Sequence, residues 1–269
     1  MTYFIVGLGM MGASYAKGLI ERGHKVYGYD IDKRVNQKAL ALGYIDAYGV
    51  DYIKESDVVI LTLYPHDNVK FMKDHLNLFD KQSLTDISGV KTLVVDEIEK
   101  IIPKGVNYVS HHPMAGSEKS GIDYANPRIF RDANFLIIDD DTGKDIFFLA
   151  AIADDLLFGK TTVISKELHD KMISFTSQLP HIIAVGLVNS DIYQETRDFT
   201  GDSYRDLTRI AFINEVLWKE LFNANKEMLE RDLERFIESM NDLLQAIKNN
   251  DDELLLELLI KAKEKRRKY

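Results

Sequence analysis

The sequence predicts an α/β protein in which a doubly wound parallel sheet is followed by an all-helical C-terminal domain. Up to about Ser165, short apolar runs alternate with amphipathic helical patterns, which is typical of strands joined by crossover helices. Beyond Ser165 the strand-like runs stop, and apolar residues recur only at steps of three and four. We therefore expect two domains, residues 1–165 and residues 166–269.

The elements expected in the N-terminal domain begin with a strand at residues 3–6. A helix follows at residues 10–22, and Gly23 stands where a C-terminal cap belongs. Residues 58–63 form an apolar run interrupted only by Thr62, as is typical of a strand that a parallel sheet buries on both faces. Further strands are expected at residues 25–29, 84–87, 107–109, 135–138 and 161–164.

Helical periodicity dominates the C-terminal half. Apolar residues within 229–247 fall on one face, and those within 254–262 do so after an Asn-Asn-Asp-Asp break. Because this half is too short to enclose a deep core alone, we expect it to pack on the first domain or on a second copy of the chain. Trp218 and Phe222, one helical turn apart, are expected in a helix core.

Composition and charge exclude several classes of function. The 269 residues include no cysteine, which excludes disulfides, thiolate metal sites and a cysteine nucleophile. Lys and Arg number 34 against 43 Asp and Glu, and the net charge of −9 disfavours nucleic acid as a partner. No apolar stretch approaches the roughly 18 residues of a membrane span, and the N-terminus lacks the basic lead of a signal peptide. We therefore expect a cytoplasmic protein that binds neither nucleic acid nor membrane.

A G-x-G-x-x-G sequence lies between the first expected strand and helix, at Gly7, Gly9 and Gly12. In a Rossmann-type dinucleotide site these glycines permit a tight turn, approach of a pyrophosphate and close helix–strand packing, and the helix N-terminus faces the phosphates. Asp30 ends the next expected strand, where a carboxylate binds a ribose 2′-hydroxyl and repels a 2′-phosphate. The pattern predicts NAD rather than NADP. Arg34 lies nearby in the sequence and weakens this prediction slightly, because an arginine can bind a 2′-phosphate. A glycine-rich turn that binds no ligand is the alternative.

A polar segment, expected to be a loop, follows the strand at residues 107–109 and reads S-H-H-P at residues 110–113. Loops at the carboxyl ends of strands carry the chemistry of open α/β sheets. An imidazole at His112 can take a proton from a substrate hydroxyl as hydride leaves the same carbon. The histidines expected to be structural or exposed are His24, His66, His75, His111 and His169.

Residues 112–121 read H-P-M-A-G-S-E-K-S-G. After a dinucleotide-binding half, this string resembles the prephenate/arogenate dehydrogenase family of tyrosine biosynthesis. Three further segments are similar to that family: S-Q-L-P-H at residues 177–181, D-L-T-R at residues 206–209 and D-I-S-G-V-K at residues 86–91. The resemblance spans roughly residues 3–220. It implies a Rossmann-type domain, a helical domain that mediates homodimerisation, and an active site between them.

The resemblance implies an NAD-dependent oxidative decarboxylation. Hydride passes from the hydroxyl-bearing ring carbon of prephenate to NAD, the ring carboxylate leaves as CO₂, and aromatisation gives 4-hydroxyphenylpyruvate. Because aromatisation drives the reaction, the protein has only to polarise the hydroxyl and orient the carbon against the nicotinamide. No metal is implied, and the sequence contains no H-x-x-x-H pair.

The resemblance also assigns roles to particular residues. His112 matches the histidine that accepts the hydroxyl proton, and His181 matches a second active-site histidine that helps to hold the substrate. Arg209 matches the arginine that pairs with a substrate carboxylate, a bidentate task suited to guanidinium. Asp206 belongs to the same segment, and Glu118 matches an acid near the pocket rim.

Some of these assignments have structural alternatives. Asp206 lies one helical turn before Arg209, so a local ion pair is the alternative for both residues. Glu118 is otherwise an ordinary exposed loop residue. Pro180 removes a helix hydrogen bond, and we expect it to kink its helix and turn His181 towards the cleft.

One segment departs from the family pattern. The family has serine at the position of Gly89, whereas this chain has its serine one place earlier, at Ser88. We expect Ser88 either to reach the substrate as a catalytic residue through an altered turn or to leave that hydrogen bond unmade.

Other functions remain open on the sequence. Arogenate dehydrogenase, which would give tyrosine directly, is the closest alternative, because arogenate differs from prephenate only at the side chain. The β-hydroxyacid dehydrogenases and imine reductases also join a Rossmann-type half to helices, but they rely on a lysine in the helical half. A non-enzymatic scaffold that senses NAD is the third alternative.

Overall fold

The computed structural model describes residues 1–116, 119–140 and 142–268. Strands and helices alternate in the N-terminal half, as predicted. The strands are β1 (Thr2–Val6), β2 (Lys25–Tyr29), β3 (Ala47–Tyr48), β4 (Val58–Leu61), β5 (Ser83–Asp86), β6 (Asn107–Tyr108), β7 (Ser110–Pro113), β8 (Asn134–Ile138) and β9 (Lys160–Ile164). The helices of this half are α1 (Met10–Glu21), α2 (Lys33–Ala41), α3 (Pro65–His75), α4 (Thr92–Glu99) and α5 (Phe147–Asp155).

Strands β1 to β6 form one parallel sheet in the order β3-β2-β1-β4-β5-β6. The order reverses at β1, and open α/β sheets bind ligands outside the carboxyl ends of the strands at such a point. Val6 pairs with both Tyr29 and Leu61, so the segments that follow β1, β2 and β4 leave the sheet at the same edge. The predicted doubly wound parallel sheet is confirmed.

The side chains of β1 alternate between two buried layers. Tyr3 and Ile5 belong to an apolar cluster with residues of α1 and α5, whereas Phe4 and Val6 belong to a second cluster with residues of α3 and α4. All four side chains are fully buried. Burial on both faces is typical of a central parallel strand, and it fixes the position of the loop that follows β1.

The polar segment at residues 110–113 is strand β7, so the expectation of a loop was wrong. Strand β7 pairs antiparallel with β8, and β8 pairs parallel with β9, in a separate three-stranded sheet. The pairing buries Ser110 and His111 and leaves Pro113, which has no N–H, at the end of the strand. Local sequence did not predict this strand because its partner lies far downstream.

From residue 166 onward, the described residues contain helices and turns but no strand, which confirms the all-helical C-terminal half. The side chain of Ser165 accepts a hydrogen bond from the backbone N–H of Leu168 and caps the first helix. The helices are α6 (Lys166–Ile173), α7 (Leu179–Asn189), α8 (Thr196–Phe199), α9 (Asp202–Thr208), α10 (Glu215–Ala224), α11 (Lys226–Lys248) and α12 (Asp252–Arg266).

A π-helical turn, Ser174–Gln178, joins α6 to α7 directly before Pro180. Proline lacks an N–H and crowds the preceding turn of a helix, and the wider π turn accommodates both effects. The disturbance expected at Pro180 therefore takes the form of a π turn within a continuous helical segment.

Helices α11 and α12 carry apolar side chains that stay exposed in the single chain. Such a surface on a long helix is typical of an interface with another helix. The exposed residues include Ile237, Met240, Leu244, Ile247, Leu256 and Leu259. In the described part of the chain, no helix has both the length and the apolar character needed to cross a membrane.

Candidate active site

The glycine loop between β1 and α1 has little room for side chains. Gly7 has φ +89°, and a Cβ on it would lie 2.6 Å from Leu63 Cδ2. A Cβ on Gly12 would lie 1.9 Å from the carbonyl oxygen of Gly7. Gly9 differs, because no atom lies within 4 Å of the Cβ position. The backbone at Gly9 is thus open to a ligand at the N-terminus of α1, and the loop fits a pyrophosphate.

Asp30 lies beside this loop at the end of β2. Its carboxylate accepts hydrogen bonds from the backbone N–H groups of Leu8 and Asp32, each at 2.9 Å. Arg34 is turned towards Asp32, with Nη2 2.8 Å from Oδ2. The carboxylate of Asp30 is thus held next to the glycine loop, and the nearby guanidinium already has an anionic partner. This arrangement fits a ribose 2′-hydroxyl better than a 2′-phosphate.

A cavity of about 570 Å³ lies at the carboxyl edge of the parallel sheet. Gly9 and Met10 of the glycine loop, His112 of β7, and His181 and Trp218 of the helical half all line it. The volume is that of a small-molecule site. The cavity therefore brings together the cofactor loop and two histidines predicted to act on the substrate.

His112 is half-buried at the wall of this cavity. Its Nδ1 lies 2.7 Å from Nε2 of His169. Burial lowers the pKa of His112 well below its usual value of 6.5, and the nearby charge of Lys91 lowers it further. The neutral form therefore dominates at physiological pH, and a neutral imidazole can accept a proton.

Two residues that the sequence did not single out stand behind His112. His169 is fully buried on α6, and its Nδ1 lies 2.7 Å from Oδ1 of Asp170. The carboxylate of Asp170 also accepts hydrogen bonds from the backbone N–H groups of Lys91 and Thr92, each at 2.8 Å. Local sequence gives no sign of this arrangement except that a histidine and an aspartate are adjacent.

His111 points away from the cavity into the core, as expected of a structural neighbour. It is fully buried, with hydrogen bonds to the hydroxyls of Tyr15 at 2.7 Å and Thr85 at 2.6 Å. Burial lowers its pKa to about 3, and nearby Lys91 lowers it as well. His111 is therefore neutral and serves to fix β7, which presents His112.

A buried ion pair supports the same strand. Lys91 Nζ lies 3.2 Å from Oδ1 of Asp86 and donates a hydrogen bond of 2.7 Å to the carbonyl oxygen of His111. Asp86 also accepts hydrogen bonds from Tyr108 Oη and from the backbone N–H of Ser88, each at 2.8 Å. Burial opposes ionisation of Asp86, but the Lys91 charge and these hydrogen bonds lower its pKa below the usual range. The Asp-to-Lys segment noted in the sequence is thus a scaffold for β7.

Ser88 lies in the cavity wall, and its hydroxyl accepts a hydrogen bond of 3.0 Å from Asn68 Nδ2. The next residue, Gly89, faces helix α10, and a Cβ on it would lie 3.2 Å from Leu221 Cδ2. A serine at residue 89 would therefore crowd Leu221, which gives a steric reason for glycine there.

His181 lies on α7 and stacks on Trp218 of α10, with ring centroids 3.7 Å apart and an interplanar angle of 28°. Its Nδ1 lies 2.8 Å from the carbonyl oxygen of Ser177. A carbonyl only accepts, so Nδ1 carries the hydrogen in this contact. Trp218 was expected in a helix core, but it is half-buried and forms part of the cavity wall.

Arg209 and Asp206 are exposed and do not line the cavity of a single chain. Arg209 begins a 3₁₀ turn whose next residue, Ile210, does line it. Glu118, expected near the pocket rim, lies outside the described residues, while Lys119 lies in the cavity wall. Among the described residues, no group of three or more His, Asp or Glu side chains is arranged to hold a metal ion.

Comparison with known proteins identifies the family. The family model described as "Prephenate dehydrogenase, nucleotide-binding domain" matches residues 15–160, and "Prephenate dehydrogenase, dimerization domain" matches residues 165–261. The chain belongs to the prephenate dehydrogenase family. Membership makes it an NAD-dependent oxidoreductase and explains why a nucleotide-binding half is joined to a helical one.

Individual members of the prephenate dehydrogenase family match over almost the whole chain. Prephenate dehydrogenase from Bacillus subtilis is 28% identical, over 98% of this chain and 75% of its own. Cyclohexadienyl dehydrogenase from Zymomonas mobilis is 30% identical, over 96% of this chain and 93% of its own. Among solved structures, prephenate dehydrogenase from A. aeolicus in complex with hydroxyphenyl propionate and NAD+ superposes with a TM-score of 0.89 at 30% identity, covering 100% of this chain and 98% of that one.

Proposed function

We propose that this chain catalyses the oxidative decarboxylation of prephenate to 4-hydroxyphenylpyruvate, with NAD as the hydride acceptor. The observation that carries the proposal is the single cavity lined by the glycine loop, His112 and His181. A cavity lined by both a base and a dinucleotide-binding loop suits the oxidation of an alcohol. In that reaction the hydroxyl oxygen loses a proton, and the carbon that carries it loses a hydride.

The binding of NAD rests on the open backbone at Gly9 and on Asp30. Gly9 admits the pyrophosphate, Gly7 and Gly12 keep the turn tight, and the Asp30 carboxylate accepts from the ribose hydroxyls. NAD, when bound, supplies the acceptor for the hydride that leaves the substrate ring.

The proton transfers centre on His112. Its ring takes the proton of the substrate hydroxyl as the C–O bond becomes C=O and hydride leaves the same carbon. The bond to the ring carboxylate then breaks, CO₂ leaves, and the electron pair passes through the ring to the carbonyl oxygen. That oxygen takes the proton back from His112, so the base is regenerated and no proton is consumed overall.

The substrate is held by the helical half in this proposal. His181, stacked on Trp218, faces the substrate ring, and Ser88 lies in the cavity wall on the side of the nucleotide-binding half. Arg209 is assigned to a substrate carboxylate by the family resemblance. Asp206 and Glu118 remain candidates for substrate binding on the strength of the family resemblance alone.

Prephenate is favoured over arogenate by the charges of the cavity. Arogenate carries an ammonium group where prephenate carries a ketone, and an ammonium group is best held by a carboxylate. Of the described residues that line the cavity, none carries a carboxylate. A β-hydroxyacid dehydrogenase activity is disfavoured because, of those same lining residues, the helical half contributes no lysine.

We further infer that the boundary between the two domains lies at residues 165/166 and that the helical half, residues 166–269, forms a homodimer. The apolar surfaces of α11 and α12 support the second inference. We expect the enzyme to be cytoplasmic and to act on a small-molecule substrate. We expect it to bind neither nucleic acid nor membrane.

The test is turnover of defined substrates. Purified protein is mixed with NAD and either prephenate or arogenate, reduced nicotinamide is followed by absorbance, and the product is identified by chromatography. We expect one 4-hydroxyphenylpyruvate for each NADH formed from prephenate, and weaker activity with arogenate. Preference for arogenate would make the chain an arogenate dehydrogenase, and lack of turnover with both would overturn the proposal.

A further inference from the structure

We infer that His169 and Asp170 of the helical half are positioning residues that fix the proton of His112 on Nδ1 and leave Nε2 as the basic atom. The inference rests on the base role proposed for His112, and it adds two residues that the family resemblance did not assign. The three side chains form one line of contacts, from the Asp170 carboxylate through the His169 ring to the His112 ring, with both separations 2.7 Å.

The first member of this series of contacts, the carboxylate of Asp170, can only accept hydrogen bonds. The carboxylate accepts hydrogen bonds from the backbone N–H groups of Lys91 and Thr92 at the N-terminus of α4, where the helix dipole favours a negative charge. Burial alone would raise the pKa of Asp170, but its hydrogen bonds with His169 and Thr92 lower it below the usual range. An ionised carboxylate has no hydrogen to give, so Nδ1 of His169 is the donor in their contact.

The positions of the ring hydrogens on His169 and His112 follow from this contact. His169 is fully buried and burial lowers its pKa, so the ring is neutral and carries a single hydrogen, on Nδ1. Its Nε2 is then an acceptor, and His112 must donate from Nδ1. His112 is neutral for the same reason, and its Nε2 therefore carries the lone pair. Because the Nδ1 edge faces a buried ring, the Nε2 edge is the one left for the cavity.

The line also crosses between the two halves of the chain. His112 belongs to β7 of the nucleotide-binding half, whereas His169 and Asp170 belong to α6, which begins the helical half. Asp170 is in turn bound to the N-terminus of α4 in the nucleotide-binding half. The base therefore has its correct tautomer only when α6 is docked against β7 and α4.

The inference predicts a tautomer that can be observed directly. In ¹⁵N-histidine NMR spectra, with His112 assigned by comparison with His112→Asn, wild-type protein should show a hydrogen-bearing Nδ1 and a hydrogen-free Nε2. Asp170→Asn should increase the population with the hydrogen on Nε2. A wild-type spectrum with the hydrogen on Nε2 would overturn the inference even if the enzyme turns over prephenate normally.

Kinetics of two His169 variants provide the second test. The amide oxygen of His169→Gln can still accept from His112, whereas His169→Leu cannot. We expect the leucine variant to lose kcat by about 10- to 100-fold with a small change in KM, and the glutamine variant to recover most of it. Equal losses in both variants, measured on folded protein, would contradict a positioning role.

A matched control comes from another histidine–aspartate pair. Asp155 lies 2.8 Å from His24 Nε2 on the far side of the nucleotide-binding half, and neither residue lines the cavity. Asp155→Asn should leave kcat and the His112 resonances unchanged. If the wild-type enzyme turned over neither prephenate nor arogenate, the proposed function would fail while the NMR measurement still decided the tautomer.

Discussion

The imidazole of His181 stacks on the indole of Trp218 with the ring centroids 3.7 Å apart, and both rings form part of the wall of the cavity. The contact joins α7 to α10 and helps to fix the direction of the imidazole. The π turn before α7 also holds His181, because the Nδ1 atom of His181 is hydrogen-bonded to the carbonyl oxygen of Ser177 in that turn. The helical half therefore presents a fixed polar edge to the cavity.

Replacing Trp218 by leucine tests this role. Loss of a ring stack costs about 0.5–1.5 kcal/mol, so we expect KM for prephenate to rise by roughly 2- to 10-fold while KM for NAD stays the same. Phe222→Leu is the matched control, because Phe222 packs on Trp218 but does not line the cavity. An equal rise in both variants would show that Trp218 acts through packing alone.

The choice of cofactor is predicted to depend on Asp30. Asp30→Ala removes the acceptor for the ribose hydroxyls and the anion that repels a 2′-phosphate, so the ratio of kcat/KM for NAD to that for NADP should fall by about 10-fold or more. The measurement is initial velocity with each cofactor. Asp74→Ala is the control, since Asp74 contacts Lys70 on α3 and neither the glycine loop nor Arg34. An unchanged ratio in Asp30→Ala would exclude Asp30 from the ribose site.

Arg209 is predicted to bind a carboxylate of the substrate. A charge-assisted hydrogen bond is worth about 1.5–3 kcal/mol, so Arg209→Ala should raise KM for prephenate by roughly 10- to 100-fold and leave NAD affinity unchanged. Arg205→Ala, on the exposed helix α9 where Arg205 pairs with Asp202, is the control. If Arg209→Ala behaves like its control, the substrate carboxylate must have another partner.

The apolar surface of α11 is predicted to lie in a homodimer interface. Leu244→Asp would bury a charge in that interface, and we expect the protein to shift from dimer to monomer in analytical ultracentrifugation. Phe147→Asp places the same charge on an exposed apolar site of the nucleotide-binding half and should leave the dimer intact. A stable dimer in Leu244→Asp would exclude this part of α11 from the interface.

The sequence predicted most of the fold because the relevant signals are local. The apolar run at β4 and the glycine loop before α1 are set by short-range backbone and burial preferences. The segment at residues 110–113 was predicted wrongly because a polar strand is stabilised by its partner β8, which local sequence does not include.

The site was predictable only in part. The motif predicts His112 as a site residue, and the structure brings it to the same cavity as His181. His169 was missed because its significance depends on the docking of α6 against β7, a contact between residues 57 positions apart. Trp218 was misread because a helical aromatic residue has the same spacing whether it faces a core or a cavity.

The most direct test of the account is His112→Asn, assayed with saturating NAD and varied prephenate. Asparagine cannot act as the base, so kcat should fall by about 100-fold or more with only a modest change in KM. In the wild type, the acidic limb of kcat/KM should lie below pH 6.5, because burial lowers the pKa of His112 and keeps the ring neutral. His24→Asn, a histidine outside the cavity, should behave as wild type. Unchanged kcat in His112→Asn would contradict the assignment of His112 as the base.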